Sequence, residues 1–140
     1  MARGNPLPES DHVARGILPE KVDDGVVLPS AFKLRPRDRG KLSSDWVECA
    51  HAALKDQNIQ GAVARLSKHL IKRPQLIAVL SVDGIRSIKR PERKLDAVED
   101  PHPSYQCHSA IIGMKNDIID LELQQDLADL ANESEHTTLE

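Results

Sequence analysis

Aromatic residues are almost missing from this chain of 140 residues: Phe32, Trp46 and Tyr105 make up 2% of it. So few rings exclude a stacking platform for single-stranded nucleic acid or an aromatic cage for a cation. The core must be aliphatic. Long apolar runs are missing as well, since the longest largely apolar stretch, Gln75 to Val82, falls far short of the ~20 residues a membrane helix needs. No hydrophobic leader core is visible at the N-terminus, so a cytoplasmic protein with no membrane contact is expected. The two cysteines, Cys49 and Cys107, are too few for a disulfide framework and are expected as core-filling thiols. Seven scattered glycines form neither G-x-G-x-x-G nor G-x-x-x-x-G-K, and there is no G-x-S-x-G elbow. Nucleotide cradles and elbow hydrolases are thereby excluded.

What is present fits one domain, with 39% apolar residues and a net charge of −3. Prolines and glycines crowd residues 1–30, which read as an irregular arm with one extended piece at His12 to Leu18. Ala31 to Arg35 alternates apolar and basic residues like a half-buried strand. From Ser44 the spacing of Trp46, Ala50, Ala53 and Leu54 predicts a helix, and Ile59, Val63, Leu66 and Leu70 a second one ended by Pro74, together a helical hairpin. Leu76 to Val82 suits a central strand. Asp83 can cap a short helix, Leu95 to Val98 and Ser109 to Met114 read as strands, and Asn116 to Ala131 as an amphipathic helix. In that helix Ile119, Leu123, Leu127 and Leu130 face inward and Asp120, Glu122, Asp126 and Asp129 outward. The expected fold is a single α+β domain over 31–132, a mixed β-sheet packed by a two-helix unit and a C-terminal amphipathic helix, with 133–140 a frayed tail.

Charge is unevenly placed. Arg65 to Lys94 holds nine basic residues against two acidic ones, a net +7, whereas Leu95 to Glu140 holds eleven acidic residues against Lys115, a net −10. Lys33 to Lys41 adds five cations against Asp38. The plain reading is that the acidic last helix lies near the basic segment and solvated faces neutralise one another. A functional reading makes Lys68, Lys72, Arg73, Arg86, Lys89, Arg90, Arg93 and Lys94 a surface for a protein partner or a second copy of the chain. A phosphate backbone is the alternative partner, although no nucleic-acid motif is present.

Candidates for chemistry are few. Cys49-x-His51 and Cys107-His108, with His102 nearby, supply metal-ligand types, but the spacing points them apart, so no metal and no cofactor are expected. Neighbouring Cys107 and His108 do not make a nucleophile and base by adjacency alone. Asp11, His12 and Arg15, with Arg35, Trp46 and Glu48, could position a ligand through charge-assisted hydrogen bonds, or could simply pin the arm to the domain. No residue is assigned a catalytic role.

The runs L-P-E-S-D-H-V-A-R (Leu7 to Arg15), A-F-K-L-R (Ala31 to Arg35) and L-S-S-D-W-V-E (Leu42 to Glu48) resemble an uncharacterised family of small bacterial proteins with no known activity. An Asp-Pro pair and a histidine before a late strand, here Asp100-Pro101 and His108, are similar too. Gly16 and Asp45 depart from an aromatic and an asparagine in that pattern. The resemblance marks His12, Arg15, Ser43, Trp46, Glu48 and His108 as matched positions and implies a bacterial accessory domain. A small interaction protein acting through segregated charged surfaces is the leading expectation. A ligand-binding or nucleotide-transferase-like enzyme using His12, Arg15 and Glu48 is the second, and a nucleic-acid module using Arg65 to Lys94 the third.

Overall fold

The computed structural model describes residues 3–134 and 137–138, the last two by their backbone alone. In chain order the elements are β1 (His12–Ile17), β2 (Val22–Asp23), β3 (Val26–Val27), β4 (Lys41–Trp46), α1 (Lys55–His69), β5 (Leu76–Ser81), α2 (Val82–Ser87), β6 (Lys89–Arg90), β7 (Arg93–Lys94), β8 (Asp96–Glu99), β9 (His108–Ile112), α3 (Ile119–Glu133) and β10 (Thr137–Thr138). The fold is a single-domain α+β one. Its main sheet runs β10-β5-β1-β4-β9-β8, and each of its pairings is antiparallel.

The sheet separates two apolar layers. Val13, Ile17, Leu42, Trp46, Leu80, Ala97 and Ile111 point to one face, where α2 supplies Val82 and Ile85 and α3 supplies Leu123, Leu127 and Ala131. Ala14, Val47, Ile77 and Val79 point to the other, under Ala62 and Leu66 of α1. β1 lies between β5 and β4, so residues 12–17 belong to the middle of the domain. The expected boundary at residue 30 does not separate an arm from a body. β5 has only the two-residue β10 outside it, which makes β1 and β4 the central long strands.

The predicted helix from Ser44 is absent. Residues 41–46 form β4 and Val47–Ala50 a single 3-10 turn, so the two-helix unit reduces to α1. The period of two was disguised because Ser44 occupies an inward position between Leu42 and Trp46. Its hydroxyl is satisfied by that of Ser109 on β9 at 2.7 Å, so a polar residue sits in the core layer without an unpaired group. Ala31 to Arg35 is likewise no strand. Pro29 opens a 3-10 turn that buries Ala31 and Phe32. Ser81, not Asp83, caps α2 by accepting from the Gly84 N–H at 3.0 Å.

Asp120 is buried, not outward, and accepts from the Lys115 and Asn116 N–H groups at 3.1 and 2.7 Å. The thiol expectation also fails: Cys49 and Cys107 form a disulfide with Cα atoms 5.6 Å apart. Their sequence separation of 58 residues gave no hint that β4 and β9 are neighbours. Thr137–Thr138 pairs with Leu76 and Ile77, so this part of the supposed frayed tail is a strand edge, and the rest lies outside the described residues. Among the described residues no helix is long and apolar enough to cross a membrane.

Candidate functional site

The residues singled out from the sequence divide into separate groups. His12 and Glu48 meet: the His12 N–H donates to Glu48 Oε1 at 2.7 Å, and Nδ1 lies 2.6 Å from Oε2. Beside them the Trp46 indole N–H donates to Asp11 at 2.8 Å, anchoring the ring in the core. Arg15, three positions from His12, leaves β1 on the opposite face and does not join them. Its guanidinium donates to the main-chain oxygens of Ala31 at 3.2 Å and Ser43 at 2.5 Å. Burial pulls its pKa down to about 10. Ser43 therefore contributes only its carbonyl. Arg35 is turned back onto Asp38, with Nη2 3.1 Å from Oδ1.

His108 belongs to a polar network that the sequence did not reveal. Asp45, fully buried on β4, accepts two hydrogen bonds from Arg65 of α1, each 2.8 Å, and one from the Tyr105 hydroxyl at 2.6 Å. Burial raises the Asp45 pKa, opposed by Arg65 and Tyr105, while the hydrogen bond to Asp45 raises that of Arg65. Tyr105 is pushed up as well, first by burial and then by the Asp45 carboxylate. Its ring stacks on His69 at 4.1 Å.

Across the ladder from Asp45 stands His108, and beyond it Asp100. Asp100 is 4% exposed. Its Oδ2 lies 3.2 Å from His108 Nδ1 and 3.6 Å from His102 Nε2, while Oδ1 lies 3.4 Å from both Lys41 Nζ and Arg3 Nε. Burial lowers the His108 pKa, so its neutral form is favoured. His51 sits edge-on to Trp46 at 5.9 Å. All five histidines among the described residues thus gather where β1 and β9 begin and β4 ends.

The basic segment is not one surface. Arg65 is spent on Asp45, and Lys68, Lys72 and Arg73 lie in and after α1, on one face of the sheet. Of the remainder, Arg86 lies on α2 and the other four form the β6–β7 hairpin against α3 on the other face. Arg86 bonds to Asp96 at 2.7 Å, Arg90 reaches Asp126 at 2.8 Å and Glu122 at 3.2 Å, and Arg93 pairs with Asp117 and Asp120. These arginines are matched by carboxylates of the same chain, as the plain reading of the charge required. Arg86, Lys89, Arg90, Glu92, Arg93 and Lys94 line a cleft of about 470 Å³. A methyl group on Gly113 (φ 117°) would strike the Lys94 carbonyl, so the hairpin base presses directly on the end of β9.

No family model, no curated protein and no solved structure matches the chain. Geometry alone therefore argues for the site. Asp45, Arg65, His69, Asp100, His102 and Tyr105 are the residues that sequence reasoning did not assemble. The available signal was D-P-H-P-S-Y-Q-C-H (Asp100 to His108), which packs a carboxylate, two histidines and a phenol into nine residues.

Proposed function

We propose that this chain is a small accessory protein that binds an acidic protein partner through the β6–β7 hairpin. One observation carries this reading. Both cross-strand pairs of the hairpin are cation against cation, Lys89 opposite Lys94 and Arg90 opposite Arg93. Like charges directly opposite oppose hairpin formation. Glu122 and Asp126 of α3 compensate Arg90, and Asp117 and Asp120 compensate Arg93, but among the described residues Lys89 and Lys94 have no ion-pair partner, and both are exposed. A local conflict of this kind is expected where function opposes stability.

The arginines are fixed by their carboxylates, which leaves the two lysines, offset in part by Glu92, to make the surface potential of the 470 Å³ cleft positive. Affinity capture from the native host with the wild type and with a Lys89→Glu, Lys94→Glu variant tests the proposal. The expected result is a partner of acidic composition, retained at low salt, released at high salt and absent from the variant. Equal capture by both proteins, or capture of nucleic acid in place of protein, contradicts it.

The cytoplasmic address is part of this proposal but no longer draws support from the cysteines, because disulfides persist mainly in oxidising compartments. Fractionation of the native host checks it, with the protein in the cytoplasmic fraction the expected result and its recovery outside that fraction the contradicting one. A ligand-binding reading draws on the contact between His12 and Glu48. Arg15 lies on the other face of β1, so a transferase-like set of His12, Arg15 and Glu48 is not assembled.

A further inference from the structure

We infer that Asp100, His102 and His108 form a binding site for a borderline divalent metal ion of the zinc type, independent of the hairpin. Three donor atoms, one from each residue, lie within 4.8 Å of one another. A tetrahedral zinc site with bonds of about 2.0 Å has ligand atoms about 3.3 Å apart. Asp100 Oδ2 stands 3.2 Å from His108 Nδ1 and 3.6 Å from His102 Nε2, which matches that edge before any rearrangement. The donor set is two imidazoles and a carboxylate. With the thiols of Cys49 and Cys107 committed to each other, no soft ligand competes, and the set suits zinc, cobalt or ferrous ions over magnesium or calcium.

The loop that carries the ligands is already closed. Asp100 N–H donates to the His108 carbonyl at 3.0 Å, His102 and Tyr105 exchange main-chain bonds of 3.1 and 2.9 Å, and the His108 N–H donates to Tyr105 at 3.2 Å. Pro101 and Pro103 restrict the backbone on either side of His102, and Cys107 is tied to Cys49. Little ordering is left to oppose binding. The His102 side chain is 44% exposed, so a fourth ligand position opens to solvent, as in sites that take a water or a substrate oxygen.

Two features set the affinity. The His108 Nδ1 also lies 2.9 Å from the Asp100 carbonyl, a hydrogen bond that ligation through Nδ1 replaces. Arg3 and Lys41 lie on Oδ1, which leaves Oδ2 as the single carboxylate donor and places two positive charges that repel an incoming cation. Removing the Lys41 charge should therefore strengthen metal binding, whereas in a merely structural ion-pair hub it would only loosen the fold.

Zn²⁺ titration of tag-free, chelator-stripped protein by calorimetry tests the site, with Co²⁺ absorption reporting the coordination. One equivalent should bind to the wild type, His102→Gln and Asp100→Asn should each weaken binding at least about tenfold, and Lys41→Met should tighten it. His102 is half exposed, so its variant is expected to keep the wild-type fold by circular dichroism. No binding to the wild type at about 0.1 mM Zn²⁺ overturns the site, as does undiminished binding by His102→Gln, which would place the metal on other histidines. Loss of partner capture in the hairpin variant bears only on the proposed function, and loss of zinc in His102→Gln only on this site.

Discussion

Two neighbouring hairpins of this molecule treat charge in opposite ways. β6–β7 sets cation against cation and, with its two arginines held on carboxylates of the same chain, points its two lysines outward into solvent. The hairpin of β8 and β9 gathers two histidines, a lysine and an arginine around the buried Asp100, and across the ladder Asp45 gathers Arg65 and Tyr105, so these charges face inward. The difference teaches which polar groups hold the fold and which oppose it. A buried carboxylate with every oxygen engaged is part of the structure, and removing one partner leaves the others uncompensated. An exposed like-charge pair weakens the structure slightly and is explained only by what it meets outside.

The largest break in this comparison is expected at Asp45. Asp45→Ala strands the half-buried Arg65 guanidinium and the Tyr105 hydroxyl and should cost about 3–5 kcal/mol in urea unfolding. Replacing Asp45 and Arg65 together by apolar residues should restore much of that loss, which a double-mutant cycle would show as a large coupling. Reduction of Cys49–Cys107, which spans 58 residues, should cost about 4 kcal/mol by loop entropy, read as a lower unfolding midpoint in reductant.

A smaller effect is expected from pH. Because burial depresses the His108 pKa, the unfolded chain binds its proton more readily. Stability should therefore be full above about pH 6.5 and decline as the pH falls from there toward the depressed native value. Asp45 works in the other direction: its raised pKa makes the native state hold a proton that the unfolded chain has lost, so its contribution recovers at more acidic pH, above about 3.9. His108→Gln should flatten the decline below pH 6.5, and an unchanged profile would remove His108 as its source. The smallest effect should be at the outward hairpin, where Lys94→Glu turns a like pair into an opposite one and raises stability by a few tenths to about 1 kcal/mol.

Periodicity made α1, β5, β8, β9 and α3 legible, because each carries an unbroken apolar stripe or run. β4 was not legible, since Ser44 and Asp45 are polar residues at buried positions, and only their partners on β9, α1 and the 100–107 loop make them acceptable. β1 was read as an extended piece, but the proline and glycine density around it hid its place in the middle of the sheet, where its six residues pair along their whole length with β5. His12 and Glu48 stood in one candidate set with Asp11, Arg15, Arg35 and Trp46, and the turn after β4 that brings these two together is not encoded in their spacing. Asp100 and His102 were named but not joined, and Tyr105 was passed over, because their proximity depends on the closure of one loop, which local spacing does not encode.

The most direct test pairs two readings on one protein, the unfolding midpoint and the partner capture of the Lys94→Glu variant, in which Lys89 faces a carboxylate. An outward hairpin that gives up stability for binding predicts a variant that is more stable than the wild type and no longer retains the acidic partner. A variant that is less stable, or that captures the same partner equally well, would contradict it.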